Sequence, residues 1–460
     1  MIMFVNRKEE LKYLEDLNKT KGARLLILYG RRRIGKTELL RQFSRGKKHL
    51  FFSCDLSSEQ EQLRQFTEKI FRITGEPFLQ TQPFTSWEAL FRYIFDHISK
   101  KIPIIIIDEF PYLCISNKAI PSILQKIWDE KEKKINIFLI ICGSYMSFME
   151  KEILGSKSPL YGRRIGQMIL KPLDFESING FFPNYTREER TYCYAILGGT
   201  PAYLLRFNPK KTIEQNIKNE ILNKNAFLYS EPRFLLMEEL REPSIYFSIL
   251  KAIADGKTRL NEIAQETGIK DRHKVNKYIS VLRELHIIRR EIPVTEEKPH
   301  KSRKGIYLLD DPYFRFWFKY VFPNMSYLEE GDIEYVWEEK IKPDFDSFTG
   351  FIFEEICIQK LKKFNKENRL PFKAKNIGRW WDRTDEIDIV AFDDKGSFLF
   401  CECKWTNKKI GVNILSELQR KADKFLGTRE KYYGFFSKSG FTKELEALSK
   451  KRKDILLFNY

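Results

Sequence analysis

Residues 24–43 read RLLILYGRRRIGKTELLRQF, and the fold turns on this stretch. Residues 24–29 (RLLILY) form an apolar run with no polar alternate, which suits a strand buried on both faces. Gly30, Arg31, Arg32, Arg33, Ile34, Gly35, Lys36 and Thr37 then fit G-x-x-x-x-G-K-[ST], and residues 38–43 continue as a helix. Strand, glycine-rich loop and helix in that order are the setting in which this string cradles a triphosphate. The glycines let the backbone wrap the anion, so that loop N–H groups and the helix N-terminus at Glu38 face the phosphates. Lys36 is placed to neutralise the β- and γ-phosphates and Thr37 to ligate Mg²⁺. The expected cofactors are therefore ATP and Mg²⁺.

Outward from this loop the pattern repeats. HLFFS (49–53), IPIIII (102–107) and INIFLIIC (135–142) are further unbroken apolar runs, separated by segments long enough for crossover helices. An α/β domain with a parallel sheet is predicted. The third run ends in Asp108 and Glu109: Asp108 would hold Mg²⁺ through water and Glu109 would polarise the attacking water. Ser144, after Cys142 and Gly143, stands where a polar sensor touches the γ-phosphate; a plain strand-end cap fits the same position. Arg163 and Arg164 suit either a charge-stabilising arginine, in cis or from a neighbouring copy, or solvated side chains.

These residues, with Phe4, Asn6, Arg7 and Glu10 at the start and the GGTPAY stretch at 198–203, resemble the archaeal-type AAA-like ATPases of the STAND branch of P-loop NTPases. The resemblance covers about residues 1–235. It implies that Phe4, Asn6 and Arg7 frame the adenine.

Residues 244–254, 259–267 and 272–285 read as three short helices, followed by a hairpin from 287–292 and 305–309. This is the order of a winged helix. In the third helix Val275, Ile279 and Leu282 share one face, leaving His273, Lys277 and Ser280 on the other, with Glu284 diluting its basic character. Lys298, Lys301, Arg303 and Lys304 crowd the connection and suit phosphate contacts. DNA contact and a protein-interaction role both remain open for this module.

The tail carries a second constellation. Asp388 lies in EIDIVAF (386–392), and Glu402 and Lys404 lie in SFLFCECKW (397–405). Residues two apart in a strand share a face, and the turn at 393–396 allows the strands to pair, bringing Asp388 beside Glu402. Two carboxylates would bind Mg²⁺ or Mn²⁺, with the lysine orienting water for attack on phosphorus. The spacing resembles the PD-(D/E)xK nuclease core. That resemblance implies an acidic first helix carrying Glu354, with Glu355 as its substitute, and a polar helical residue at Gln419. Ile387 stands where the proline of the motif is usual. Residues 310–460, including Gly378, Arg379, Trp380 and Trp381, also resemble the domain of unknown function 234 found attached to such ATPases. A buried ion pair that needs no metal is the alternative for these acids.

The whole chain supports this division. Its 460 residues suit about three domains: 1–240, an ATPase with a helical lid; 241–310, a winged helix; and 311–460, a restriction-endonuclease-like α/β domain. Apolar residues at 42% exclude a mostly disordered chain, and the formal net charge of +18 favours polyanionic partners. No apolar stretch approaches the roughly twenty residues of a membrane span. Seven unclustered cysteines and the absence of a secretory pattern predict a cytoplasmic protein. The sequence reading is a nucleotide-switched ATPase acting on DNA, in a nucleotide-dependent homo-oligomer. Its rival is a non-cleaving regulator or signalling scaffold.

Overall fold

The computed structural model describes residues 4–240 and 243–459, so the expected boundary near residue 241 falls at the edge of the described residues. The chain divides into two compact units. One holds Met1–Leu173 with Thr200–Ala202, and the other holds Asp174–Gly199 with Tyr203–Tyr460.

The first unit is built on five parallel strands: β1 (Ala23–Tyr29), β2 (His49–Ser53), β3 (Ile104–Asp108), β4 (Ile137–Gly143) and β5 (Gly166–Ile169). Their spatial order is β2-β3-β4-β1-β5. Side chains alternate between two cores. Leu25, Ile27, Ile105, Ile107, Leu139 and Ile141 pack on one face. Leu26, Leu28, Ile104, Ile106, Phe138 and Ile140 pack on the other. A strand apolar at every position is therefore required here. Two predicted strands begin two residues too early. Pro103 has no N–H to give and only accepts from Phe138 N (2.7 Å). Asn136 accepts with its side-chain oxygen from Gly22 N (3.2 Å) and Arg24 Nη2 (2.8 Å), tying together the starts of β4 and β1.

Parallel strands place all their C-terminal ends on one edge. The loop after β1, Asp108 at the end of β3 and Ser144 after β4 thus converge, and β4 between β1 and β3 opens the crevice between them.

In the second unit three helices, Pro243–Ala254, Leu260–Glu266 and Arg272–Glu284, precede an antiparallel pair, β6 (Ile288–Glu291) and β7 (Ile306–Leu309). Val275, Ile279 and Leu282 are buried, while His273 and Lys277 are exposed. Helix Phe345–Lys366, which carries Glu354 and Glu355, leads into a mixed sheet. This comprises β8 (Asn376–Trp381), β9 (Glu386–Phe392), β10 (Ser397–Lys404), β11 (Glu430–Ser437) and β12 (Ile455–Asn459), in the order β12-β11-β10-β9-β8. β8 and β10 run antiparallel to β9, whereas β10, β11 and β12 are mutually parallel. No helix among the described residues is long and apolar enough to cross a membrane. All seven cysteines are buried and free.

Candidate nucleotide site and a second carboxylate cluster

The loop after β1 has the backbone its sequence demands. Gly30 and Gly35 take φ of 157° and 90°, and Arg33, without glycine's freedom, is held at 69°. A side chain at Gly30 would meet the Leu170 carbonyl oxygen at 2.5 Å, so only hydrogen fits there. Lys36 opens the helix Lys36–Ser44 and is only 5% exposed. Its Nζ donates to the carbonyls of Gly30 (2.8 Å) and Arg31 (2.9 Å), which fixes the ammonium inside the loop. Burial pulls this ammonium below its ordinary pKa, while Glu109 and Asp108 act in the opposite direction. Glu38 follows in the first turn. Arg32 Nη2 donates to Tyr112 OH (2.8 Å), and Ala202 N meets Arg33 O at 3.4 Å. Ile34 is buried in the core on the Leu26 face, where half-buried Phe4 also packs. Arg7 donates to Ile34 O (3.2 Å) and to Glu10 (3.0 Å), tying the N-terminal segment to the loop.

Across the crevice Thr37 Oγ1 donates to Asp108 Oδ2 at 2.6 Å. Two hard oxygens, one on the helix start and one on a strand end, are the donor set that suits Mg²⁺. Glu109 has left-handed backbone (φ 52°), which turns its side chain away from the strand direction. Both its carboxylate oxygens are engaged by Ser144, one by the N–H (3.2 Å) and the other by the hydroxyl. Ser144 therefore acts on Glu109 in this structure. Arg163 forks onto Asp129 (2.7 and 2.8 Å) and donates to the carbonyls of Pro159 and Tyr161. Arg164 donates to Leu154 O (3.2 Å) and lies over the Tyr161 ring. Among the described residues neither arginine hydrogen-bonds Thr37 or Asp108.

In the second unit the antiparallel register pairs Phe400 with Val390 and Cys401 with Ile389. The ladder ends at that pair, with Asp388 the next residue on β9 and Glu402 the next on β10. Asp388 Oδ2 accepts from Cys403 N at 2.7 Å. Lys404 Nζ pairs with Glu402 Oε1 at 2.6 Å. Glu354, from helix Phe345–Lys366, is paired with Arg379 of β8, and Glu355 is paired with Arg289 of β6. Burial, together with the Glu354 and Glu402 carboxylates, pushes the Asp388 carboxyl well above the usual carboxylate range. Burial also raises Glu354, against the pull of Arg379. For Lys404 burial alone would lower the pKa, but Glu402 and Asp388 outweigh it and raise the ammonium above its ordinary value. Glu354 and Asp388 open onto a cavity of about 560 Å³ that also receives Arg259, Arg379, Trp380 and Arg383.

Family models match stretches of both parts. Residues 4–207 match the ATPase domain predominantly from Archaea, and residues 317–421 match DUF234, described for Archaea bacterial proteins of unknown function. An uncharacterized protein of Methanocaldococcus jannaschii, MJECL04, is 38% identical over 462 residues, covering 99% of each chain. The chain belongs to this family of archaeal ATPases. An uncharacterized ATP-binding protein of the same organism, MJ0423, is 56% identical over 48 residues, or 10% of this chain and 81% of that one. Among solved structures, the Walker-type ATPase PABY2304 of Pyrococcus abyssi superposes with TM-score 0.52 at 21% identity, covering 68% of this chain and 96% of that one. That likeness fixes the fold of the archaeal ATPase domain.

The DUF234 part of this ATPase holds two basic residues to which the sequence assigned no role. Lys421 of helix Val412–Ala422 is buried and lies 3.7 Å from Glu402 Oε2, whereas the expected polar residue of this helix, Gln419, makes no side-chain hydrogen bond among the described residues. Arg379 neutralises Glu354. The three carboxylates here are of the kind a divalent cation takes as ligands. Glu402 Oε2 is buried without a hydrogen-bond partner, and the Asp388 and Glu354 carboxyls disfavour ionisation together. Asp388, Glu402 and Glu354 do not all lie within 4.8 Å of one another, so binding one ion by all three requires a side-chain rotation.

Proposed function

We propose that this ATPase uses its nucleotide state to control metal-dependent cleavage of DNA by the C-terminal domain. The observation that supports the reading is the nearness of Asp388 to the Glu402–Lys404 strand, with Asp388 Oδ2 accepting from Cys403 N and Asp388 itself lining an arginine- and tryptophan-rimmed cavity. In the first unit Lys36 would neutralise the β- and γ-phosphates. Thr37 and Asp108 would hold Mg²⁺, whose charge screens the phosphate oxygens. Glu109 would orient the attacking water once Ser144 releases one of its oxygens. Arg163 and Arg164 would enter catalysis only by leaving Asp129 and Leu154. Phe4 and Arg7 would border the base.

In the second unit Asp388 and Glu402, with Glu354, would hold Mg²⁺ or Mn²⁺, which supplies Lewis-acid stabilisation of the phosphoryl group. Lys404 would steady the charge that develops there, because its ammonium is kept protonated by its neighbours. The three helices and the β6–β7 hairpin would act as a winged helix on the DNA backbone. Nicking of a supercoiled plasmid with Mg²⁺ or Mn²⁺, with and without ATP, tests this reading. Loss of nicking in Asp388→Ala is expected, and absence of any metal-dependent nicking by the parent protein would overturn it.

A second reading is favoured by a specific feature. Glu354 faces Arg379, and Glu402 faces Lys404 and Lys421, so two of the three acids already have basic partners. A non-cleaving domain that only binds would be built this way, and it predicts no metal response.

Two further outcomes follow from the geometry. Glu109→Gln should retain ATP binding and slow turnover by about 10²-fold or more, the cost of losing a general base. Isothermal titration beside a phosphate-release assay separates the two effects. Lys298, Lys301, Arg303 and Lys304 are all exposed, although Lys304 is paired with Glu296 at 2.6 Å. Changing all four to alanine should flatten log affinity against log salt by about 0.9 for each DNA phosphate that is no longer neutralised. An unchanged slope would assign the hairpin connection to protein partners.

A further inference from the structure

The nucleotide-binding unit carries a basic cavity at the opposite end of its sheet. The cavity measures about 900 Å³, and its walls include Lys47 and Lys48 ahead of β2, Lys100 and Lys101 ahead of β3, and Phe78 and Tyr93. Because the strands are parallel, this end is remote from the phosphate loop. β3 runs from Ile104 on the cavity side to Asp108 beside Thr37, roughly 13 Å at about 3.3 Å per residue. A cavity of this volume accommodates a small organic ligand.

Its chemistry is specific. Four ammonium groups face a single lining carboxylate, Glu76. Lys47 is committed to Glu15 at 2.7 Å, while Lys48, Lys100 and Lys101 are exposed and have no acidic partner within ion-pair distance among the described residues. Against this rim stands an aromatic wall. Phe78, 42% exposed, meets Tyr93 edge-on at 5.7 Å, and Tyr93 is backed by His97 at 5.0 Å and Phe84 at 5.3 Å. An inorganic anion makes no use of an aromatic wall, and an apolar ligand makes none of the lysines. A ligand with both a phosphate and a planar ring uses both.

We propose that this cavity binds a nucleotide unit, with its phosphate on Lys48, Lys100 and Lys101 and its base against Phe78 and Tyr93. The unit comes either as a free mononucleotide or as one residue of a single strand, and the two sources share this chemistry.

The test uses the full chain with saturating ADP and Mg²⁺, so that the phosphate loop is occupied. Two photoreactive probes are compared, 5-iodo-deoxyuridine monophosphate and a hexathymidylate carrying one 5-iodouracil. Adducts are mapped by peptide mass spectrometry, and affinity is followed by fluorescence anisotropy of a labelled hexathymidylate and by calorimetry with the monophosphate. The expected result is an adduct on Phe78, Tyr93 or His97. Labelling by the monophosphate identifies a free nucleotide as ligand, and labelling by the oligonucleotide alone identifies a strand. Phe78→Ala should weaken binding roughly tenfold by removing a stacking surface. Lys48→Glu with Lys101→Glu should weaken it by at least that factor, with ATP turnover unchanged in both variants. Adducts confined to residues 298–304, or affinities equal to the parent protein in both variants, would overturn the proposal.

Discussion

Lys36→Ala is expected to lower ATP turnover by at least about 10²–10³-fold, the loss that follows removal of one preorganised group from a developing phosphoryl charge. The structure gives the reason for so large an effect. The Lys36 ammonium is buried and already oriented by the Gly30 and Arg31 carbonyls, so no reorganisation is needed when phosphate charge arrives. In that water-poor loop each charge interaction is stronger than at an exposed surface. Alanine leaves two carbonyls turned toward the phosphates with no cation between them. Phosphate release measures the rate, titration with ATP measures binding, and near-ultraviolet circular dichroism confirms that the fold is retained. Equal turnover in the variant and the parent chain would remove the phosphate-loop assignment.

The second large effect is a gain in stability. Burial and two neighbouring carboxylates raise the Asp388 pKa, so the folded chain holds this proton to higher pH than the unfolded chain, whose aspartates titrate near about 3.9. Between those two values the folded state binds more protons, and the stability contributed by Asp388 falls as pH rises. Above the unfolded-state value the Asp388 carboxyl therefore costs the fold stability unless a cation compensates it. Asp388→Asn keeps an acceptor for Cys403 N–H and removes the charge. It should therefore raise the metal-free melting temperature at about pH 8 and erase the difference from the parent chain at about pH 4. Mn²⁺ at a hundred times its dissociation constant should stabilise the parent chain by about 2.7 kcal/mol and leave Asp388→Asn unmoved. Glu402→Gln should weaken the metal response, and Lys404→Ala should keep it while losing cleavage. Scanning calorimetry with and without Mn²⁺ reads the stability effects and plasmid nicking reads the cleavage, and a flat calorimetric response in the parent chain would select the ion-pair reading of the cluster.

What the sequence made legible follows a physical line. β1, β3 and β4 were readable because both of their faces are buried, which leaves no polar alternate to confuse the pattern. β5 was not, since four edge residues with alternating half-exposure carry little signal. β8 was hidden similarly, its residues being at most half-buried. The meeting of Thr37 with Asp108 could be anticipated because the loop motif is local and the acid ends a strand. The hold of Ser144 on Glu109 spans 35 residues and depends on strand order, which no short pattern encodes. Arg163 illustrates the converse: its partner Asp129 lies 34 residues away, and an arginine near a phosphate site looks the same whether free or pinned. Lys421 was missed because a lysine on a basic helix resembles any solvated one until Glu402 is seen beside it. The Glu354–Arg379 pairing, across 25 residues, needed the sheet to be assembled.

The excursion of Thr200–Ala202 has a consequence for dissecting the molecule. The polypeptide leaves the nucleotide-binding unit at Leu173, returns to it for three residues, and leaves again at Tyr203. A recombinant fragment ending at Leu173 would lack Ala202, and with it the N–H that meets Arg33 O in the phosphate loop. No single cut in the chain yields both units entire. A protease nick between Leu173 and Thr200 should leave the two pieces associated until denaturant is added, and truncations designed by sequence boundary alone should bind nucleotide more weakly than the intact chain.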